Sequence, residues 1–244
     1  AVGPDYSVPF IRLPEAWSTT TETRPAEKPQ YAAWWKQLGD SDLNALIDRA
    51  VEDNLDVAAA KAKIREARAT YRKTGGTLYP SADGSASAKR QKNTSGTISN
   101  QFQAGFDASW ELDLFGGNGR GVEAAGYGVD AAEDNLRETL LTLIGDISAN
   151  YVEARGYQAR IALARQTADS QFQSAELTST KFEAGASSGV DVANAVGQAN
   201  TTEAGIATLE ISYAEAVHRL GILTGQPPSA LMGMLAAQKP IPTP

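Results

Sequence analysis

A long helical segment without proline dominates this sequence. From about Arg120 to Ala184 the chain contains no proline, and apolar residues recur at spacings of three and four. That spacing places one apolar stripe along an α-helix. A helix of this length would measure roughly 97 Å at 1.5 Å per residue, which exceeds the diameter of an ordinary globular domain. The pattern therefore predicts an elongated helical protein.

A second helix is predicted to return along the first. The segment GASSG at 185–189 interrupts the helical pattern, and residues Val190 to Leu223 resume it. This helix should end before Gly225, because glycine adopts the left-handed conformation that closes helices and two prolines follow soon after. With so short a turn, the two helices are expected to pack antiparallel. Residues 118–225 would then form a helical hairpin with its tip near 185–189.

Shorter elements flank this hairpin. Residues 1–40 begin with a proline-rich stretch and are predicted to form an extended arm. Residues 41–76 carry two helical patterns, with Asp40 or Ser41 as the first N-cap. The second of these helices should end at Gly75-Gly76, and it could stack end to end with the return helix beside the long one. The proline-rich tail, residues 226–244, is predicted to be a linker.

Between residues 77 and 117 the apolar period changes to two, which predicts a β-hairpin. From Gln101 to Leu114 the alternation is complete, with apolar side chains on one face and polar or acidic ones on the other. Residues 81–90 alternate in the same way, and the polar segment QKNTSGTISN between them is predicted to be the turn. This pattern fits either a soluble sheet with one face on a core or strands of a membrane β-barrel.

Composition and charge exclude several function classes. The net charge of −7 and the pI near 4.9 argue against nucleic-acid binding, which needs clustered Lys and Arg. There is no cysteine and a single histidine, His218, so neither a metal nor a cofactor is predicted. No apolar run reaches the roughly eighteen residues of a transmembrane helix. Glu111 and Asp113 would share a strand face and mimic a catalytic pair, but no pocket pattern accompanies them.

Four motifs, in order along the chain, resemble one known family. AVGPDYSVP at 1–9 is similar to the sequence that follows a lipidated cysteine, and Trp34-Trp35 precedes the helix that begins DSDLNALIDR. SWELDLFG at 109–116, followed by Arg120, resembles a strand-to-helix junction. KFEAGASSGVDVANA at 181–195 resembles a helix-turn-helix tip. The chain is therefore similar to the TolC-type outer membrane efflux proteins, in the nodulation-T lipoprotein branch of tripartite efflux systems.

The resemblance implies a mainly α fold with a β-hairpin, in which long antiparallel coiled-coil helices accompany two strands of a transmembrane β-barrel. In this family a protomer has two structural repeats and three protomers form the channel; the chain resembles the first repeat only. The implied function is passive export of drugs, metals or other small molecules, without enzymatic activity. The implied location is the bacterial outer membrane and periplasm, with a lipid anchor on the precursor. The implied partners are a periplasmic adaptor, an inner membrane pump, outer membrane lipid and two further copies of the chain.

The resemblance also assigns residues to surfaces. The side chains expected to face lipid are Phe102, Phe106, Trp110 and Leu112. Those expected to line the lumen are Asp107, Glu111 and Asp113. Those expected to contact the adaptor at the tip are Phe182, Gly185, Ser188 and Asp191. An alternative remains open: a soluble periplasmic helical-hairpin scaffold or adaptor, whose sheet packs on its own core.

Overall fold

A computed structural model describes residues 2–7, 9–10 and 31–242. Its elements confirm the mainly α chain with one β-hairpin. A short 3-10 helix spans Tyr31–Leu38. The other elements are α1 (Ser41–Asp53), α2 (Leu55–Gly76), β1 (Ser81–Lys92), β2 (Ile98–Ser109), α3 (Gly117–Glu183), α4 (Gly189–Thr224) and α5 (Pro228–Leu235). The chain divides into two compact units, Ala1–Thr20 with Ala60–Leu136 and Thr21–Ala59 with Arg137–Pro244.

The β-hairpin belongs to the first unit, and its strands pair antiparallel from Ser81 opposite Ser109 to Lys92 opposite Ile98. The prediction that the second strand runs to Leu114 is wrong, because β2 ends at Ser109. In this register the next residue, Trp110, would face Pro80. Proline has no backbone N–H to donate to a ladder, so pairing stops there.

The hairpin turn is also shorter than the ten residues expected from the sequence. Both strands extend into the polar segment, and only residues 93–97 connect them. Asn93 Oδ1 accepts a hydrogen bond from the Thr97 amide at 2.8 Å. Gly96 has a φ of +84°, a conformation that glycine adopts without strain. The Asn93 side chain and Gly96 therefore close the hairpin. The flanking polar residues form strand because they pair across the ladder, although their polar character predicted a turn.

In the first unit, α2 and the described N-terminal residues lie against the beginning of α3. The guanidinium of Arg68 is 2.8 Å from the carboxylate of Glu133. The ring of Tyr6 packs edge-on to that of Tyr127, with the ring centroids 5.4 Å apart. The rest of the predicted arm, residue 8 and residues 11–30, lies outside the described residues.

The core of the second unit is helical. Asp40 is its first N-cap, since its Oδ1 accepts the amides of Asp42 and Leu43 at 2.8 and 3.2 Å. From there α1 buries one apolar stripe and packs against α4, against which α5 also packs. The buried apolar residues of this core include Leu43, Leu46, Ile47, Ala50, Leu143, Ile147, Val217, Leu220, Leu231 and Leu235.

The C-terminal tail contains a helix that the sequence analysis did not predict. Residues 226–244 read as an irregular linker, but they contain α5, whose Leu231 and Leu235 are fully buried. Eight residues are too few for a helical period to be recognised in a sequence. Whether the tail also links this chain to a further repeat stays a prediction.

The long helices confirm the predicted antiparallel pair. α3 contains 67 residues and α4 contains 36, close to their expected bounds. The guanidinium of Arg165 lies 2.6 Å from the carboxylate of Glu210 on the other helix. Nearer the tip, only small side chains are buried: Ala168, Ala175 and Ala199. Among the described residues, no helix combines the length and the apolar character needed to cross a membrane.

Candidate functional sites on the hairpin and the helical tip

The apolar face of the hairpin combines side chains from both strands. Directly opposed residues share a face, and Gly84 is opposite Phe106 while Ala88 is opposite Phe102. A Cβ at Gly84 would lie 3.3 Å from the Phe106 ring, so the ring covers the glycine. Phe102 is 79% exposed and Phe106 is 97% exposed. This face therefore carries large apolar side chains that nothing in the described chain covers.

The polar face of the hairpin is acidic at one cross-strand pair. Asp107 was expected on this face, and the register places Asp83 directly opposite it. Like charges so placed destabilise a sheet unless water or cations screen them. Sequence reasoning did not single out Asp83, although alternation put it on the polar side, because only the register shows which residue it opposes. The arrangement suits a hydrated surface.

Four expected site residues lie beyond the end of β2. Trp110 and Leu112 remain exposed, and the indole N–H of Trp110 donates to the Leu78 carbonyl at 3.3 Å. Glu111 is exposed, whereas the Asp113 carboxylate accepts the Gly119 amide at 2.7 Å near the start of α3. That amide and its neighbours lower the pKa of Asp113 below its ordinary value. The strand therefore does not extend to these four residues, and their assignment to lipid and lumen stays a prediction.

The helical tip is a compact turn of residues 184–188 between α3 and α4. Gly185 has a φ of +78°, and its amide donates to the Phe182 carbonyl at 2.9 Å. Ser188 and Asp191 form a capping box, in which the Asp191 amide donates to Ser188 Oγ at 3.2 Å and the Ser188 amide donates to Asp191 Oδ2 at 3.0 Å. Hydrogen bonds from the Ser188 hydroxyl and amide and from Ser187 lower the pKa of Asp191. The structure thus brings all four tip residues into one local motif.

Exposure at the tip distinguishes the four residues. Phe182 is 48% exposed, and its ring would lie 3.8 Å from a Cβ at Gly189, so it covers the start of α4. Ser188 and Asp191 are exposed but already paired with each other. Phe182 and Val190 are therefore the exposed apolar side chains of the tip, and the capping box fixes the backbone between them.

A buried charged cluster in the second unit escaped sequence reasoning. Arg155 is 0% exposed, as is Tyr151 one helical turn earlier. Arg155 Nη2 lies 2.9 Å from Asp42 Oδ2, and Arg155 Nε donates to the Tyr151 hydroxyl at 3.1 Å. Tyr151 in turn donates to Asp40 Oδ2 at 2.7 Å. The sequence contains no sign of this cluster, because its two acidic residues lie more than a hundred positions from Tyr151 and Arg155.

The same cluster holds the tail. Arg155 Nη1 donates to the Ala237 carbonyl at 2.7 Å, beyond the end of α5. Lys239 Nζ lies 2.6 Å from the carboxylate of Asp42, which thus bridges two cations. Arg155 and Lys239 balance the charges of Asp42 and Asp40. A balanced and hydrogen-bonded arrangement of this kind is the condition under which charges tolerate burial.

The bond between Tyr151 and Asp40 has a predictable pH range. Burial raises the pKa of Asp40, but hydrogen bonds from Tyr151 and from the Leu43 and Asp42 amides outweigh burial and lower it overall. Burial and the bond to Asp40 raise the pKa of Tyr151. Because the pKa of Asp40 is lower in the folded state than its unfolded value of 3.8, its ionisation stabilises the fold above pH 3.8. That stabilisation is lost as the pH falls through the folded-state pKa. Because the pKa of Tyr151 is higher in the folded state than its unfolded value of 10.0, the protonated hydroxyl stabilises the fold below pH 10.0. That stabilisation is lost as the pH rises through the folded-state pKa.

We therefore expect the substitution Tyr151→Phe to lower the free energy of unfolding by an amount that is constant between those limits. The difference between wild type and variant should shrink progressively as pH falls below about 4 toward the folded pKa of Asp40, and as pH rises above about 10 toward the folded pKa of Tyr151. Urea unfolding at a series of pH values measures this difference. A difference that does not change with pH would contradict the assigned role of the bond.

No metal site is apparent in the described part of the chain. Within residues 2–7, 9–10 and 31–242, no group of three or more His, Cys, Asp or Glu side chains is arranged to hold a metal ion. His218 lies on the exposed side of α4. The surfaces with distinctive chemistry are the two hairpin faces and the tip.

Comparison with curated proteins gives consistent matches. Residues 46–226 match the family described as "Outer membrane efflux protein". The chain is 32% identical over 244 residues to nodulation protein T of Rhizobium leguminosarum bv. trifolii, covering 96% of this chain and 51% of that protein. It is 28% identical over 229 residues to cation efflux system protein CusC of Escherichia coli (strain K12), covering 92% and 50%. The chain thus spans about half the length of the curated relatives it matches.

Comparison with solved structures gives the same picture. The outer-membrane channel OprN superposes with a TM-score of 0.84 at 29% identity, covering 99% of this chain and 55% of that one. A crystal structure of CusC, described in terms of folding and transmembrane channel formation, gives a TM-score of 0.77 at 26% identity, covering 92% and 51%. These likenesses extend over the hairpin, the long helices and the tip alike.

Proposed function

Because the chain belongs to the outer membrane efflux protein family, we propose that it is one repeat of an outer membrane channel that exports small molecules. Membership confirms the resemblance seen in the sequence and the expected location in the bacterial outer membrane. The family consists of efflux channels. For this chain, passive transport without catalysis is part of the proposal.

The hairpin is the observation that carries this proposal. Every residue of β1 and β2 is exposed, including Phe102 and Phe106. An isolated two-stranded hairpin is only marginally stable in water, and twelve-residue strands are long for a soluble sheet. A tilted membrane strand needs about 9 to 11 residues with apolar side chains facing lipid. The length, the alternation and the exposure of the hairpin all suit a place in a membrane barrel.

Closure of the barrel requires further strands, since an open sheet edge is not tolerated in hydrocarbon. In our proposal a second repeat and two further copies of the protein supply them. Phe102 and Phe106 then face lipid, and Asp83 and Asp107 face the water-filled lumen. Trp110 and Leu112 would extend the lipid-facing surface below β2, and Glu111 and Asp113 would lie at the lumen entrance. Closely spaced carboxylates in a wet lumen would favour the passage of cations.

The tip is the surface that we assign to the periplasmic adaptor. Phe182 offers an exposed ring, and the capping box of Ser188 and Asp191 holds the turn in one conformation. A rigid turn with one aromatic anchor loses little conformational entropy on binding. The proposal includes an inner membrane pump that supplies energy through the adaptor, and a lipid anchor on the precursor, as the resemblance implies.

Single cysteines on the two faces of β2 test the membrane assignment. These 244 residues contain no cysteine, so each introduced thiol is the one maleimide target within them, and labelling is read on the purified protein. In isolated outer membranes from cells that express the protein, we expect Asp107→Cys to react with a membrane-impermeant maleimide. Phe106→Cys should react roughly tenfold more slowly, because its thiol lies in hydrocarbon.

The pair Phe102→Cys and Gln103→Cys repeats the comparison four residues earlier on the same strand. Equal labelling at 106 and 107 in the membrane would overturn the proposal. The soluble scaffold alternative makes a different prediction: 106 would be protected in aqueous buffer without detergent or lipid, because protein would cover the apolar face.

A further inference from the structure

Three helix ends meet at Asn54. The residue lies between α1 and α2, is 7% exposed, and is near the last turn of α4. Its backbone N–H donates to the Ala50 carbonyl at 2.9 Å and closes α1. A helix end leaves backbone groups without intrahelical partners, so a residue at such a junction must satisfy several of them.

The side chain of Asn54 serves the other two helices. Its Oδ1 accepts the amides of Asp56 and Val57 at 2.8 and 3.2 Å, which caps the start of α2. Its Nδ2 donates to the Leu223 carbonyl at 3.0 Å, in the last turn of α4. An amide side chain carries both a donor and an acceptor, which is what these two ends require. Aspartate or serine at this position could cap α2 but could not reach both.

The junction is packed as well as hydrogen-bonded. Gly225 closes α4 with a φ of +66°, and a Cβ there would lie 3.5 Å from the Asp53 carbonyl oxygen. Thr224 beside it is fully buried. The end of α4 thus lies against the end of α1, and the Asn54 side chain links both to the start of α2.

We propose that Asn54 is a positioning residue that makes the last turn of α4 and the first turn of α2 open and close as one unit. If either helix end unfolds, the side-chain amide of Asn54 becomes exposed to water, and the other helix end then loses its hydrogen bonds to that amide. Because Asn54 bonds to both helices, a displacement of either helix end would be passed to the other at this residue. This coupling does not depend on the proposed channel function.

Native-state hydrogen exchange on the full chain tests the shared opening. The amides of Asp56 and Val57 report on α2, and those of Gly225 and Gln226, which donate to carbonyls in the last turns of α4, report on α4. In the wild type we expect both pairs to exchange with the same opening free energy and the same dependence on denaturant, as a single cooperative unit does.

Two substitutions separate the roles of Asn54. Asn54→Ser keeps an acceptor for α2 but is too short to reach Leu223. We expect it to speed exchange at Gly225 and Gln226 by roughly five- to tenfold, the equivalent of about one hydrogen bond, with a smaller change at Asp56 and Val57. Asn54→Ala should speed exchange at both ends.

Asn150→Ser is the matched control, because the half-buried Asn150 makes a similar side-chain bond to the Asp146 carbonyl, but within α3 and not between helix ends. It should leave both helix ends unchanged. Different opening free energies at the two ends in the wild type, or unaltered exchange at Gly225 and Gln226 in Asn54→Ser, would overturn the proposal. The maleimide experiment does not depend on the hydrogen-exchange results. A failure of the Asn54 proposal can therefore be distinguished from a failure of the channel assignment.

Discussion

The substitution Arg155→Met is expected to lower the free energy of unfolding of the helical unit by about 3 kcal/mol. Removing one partner of a buried ion pair costs about 3 to 5 kcal/mol, because the other charge loses its compensation. We expect the lower end of that range, since Asp42 is 20% exposed at its side chain and retains Lys239 at 2.6 Å. Urea unfolding followed by far-ultraviolet circular dichroism measures the change.

The size of this effect follows from the number of groups that Arg155 satisfies. It donates to the Tyr151 hydroxyl, the Gln158 side chain and the Ala237 carbonyl in addition to Asp42. Methionine fills a similar volume but donates nothing. The tail beyond α5 should therefore detach first, and its backbone amides should exchange hydrogen faster in the variant.

Arg165→Met is the matched control on the same helix. Arg165 also pairs with a carboxylate, Glu210, but their side chains are 62% and 49% exposed. Exposed pairs contribute about 0 to 1 kcal/mol, so this variant should remain close to the wild type. A similar loss of stability in both variants would show that burial is not what makes Arg155 important.

A second large effect is expected from Gly221→Ala. A Cβ at Gly221 would lie 2.9 Å from the backbone oxygen of Gln226, which belongs to the chain that leaves α4. The Gln226 amide donates back to the Gly221 carbonyl at 2.8 Å, and Leu231 of α5 is 3.8 Å from the new methyl position. The backbone cannot move away without breaking this closing bond. Such overpacking typically costs about 1 to 3 kcal/mol.

Gly205→Ala provides the opposite expectation within the same helix. No atom lies within 4 Å of a Cβ at Gly205. Alanine is a better helix former than glycine by roughly 0.5 to 1 kcal/mol, so this variant should be slightly more stable than the wild type. Thermal unfolding of both variants measures the contrast. Equal stabilities of the two variants would contradict the prediction. They would mean that the backbone after α4 moves to accommodate the new methyl group at little cost.

Features that depend on neighbouring residues were predictable. The bounds of α3 and α4, the glycine at the tip and the capping role of Ser188 all follow from helical spacing and from the backbone preferences of glycine and serine. The alternation of Phe102, Phe106 and Asp107 likewise identified the two faces of β2. In each case the physical cause acts within a few positions along the chain, where a sequence can be read directly.

Features that depend on the partner of a residue were not predictable. The end of β2 at Ser109 depends on Pro80 lying opposite Trp110, and the facing pair Asp83 and Asp107 depends on the register of the hairpin. Alternation specifies a face, but it does not specify which residue lies across the ladder. The predicted strand therefore ran five residues too far, to Leu114 instead of Ser109.

The buried polar groups show the same division most clearly. Arg155 and Asn54 look like ordinary residues of helical segments, and each is important only because helices distant in sequence bring carbonyls and carboxylates to it. Local preferences specified where helices, strands and turns form, since the energies involved act between near neighbours. The packing of the helices determined which polar side chains are shielded from water. Burial then made the hydrogen bonds of those side chains important for stability, because a buried polar group without a partner is costly.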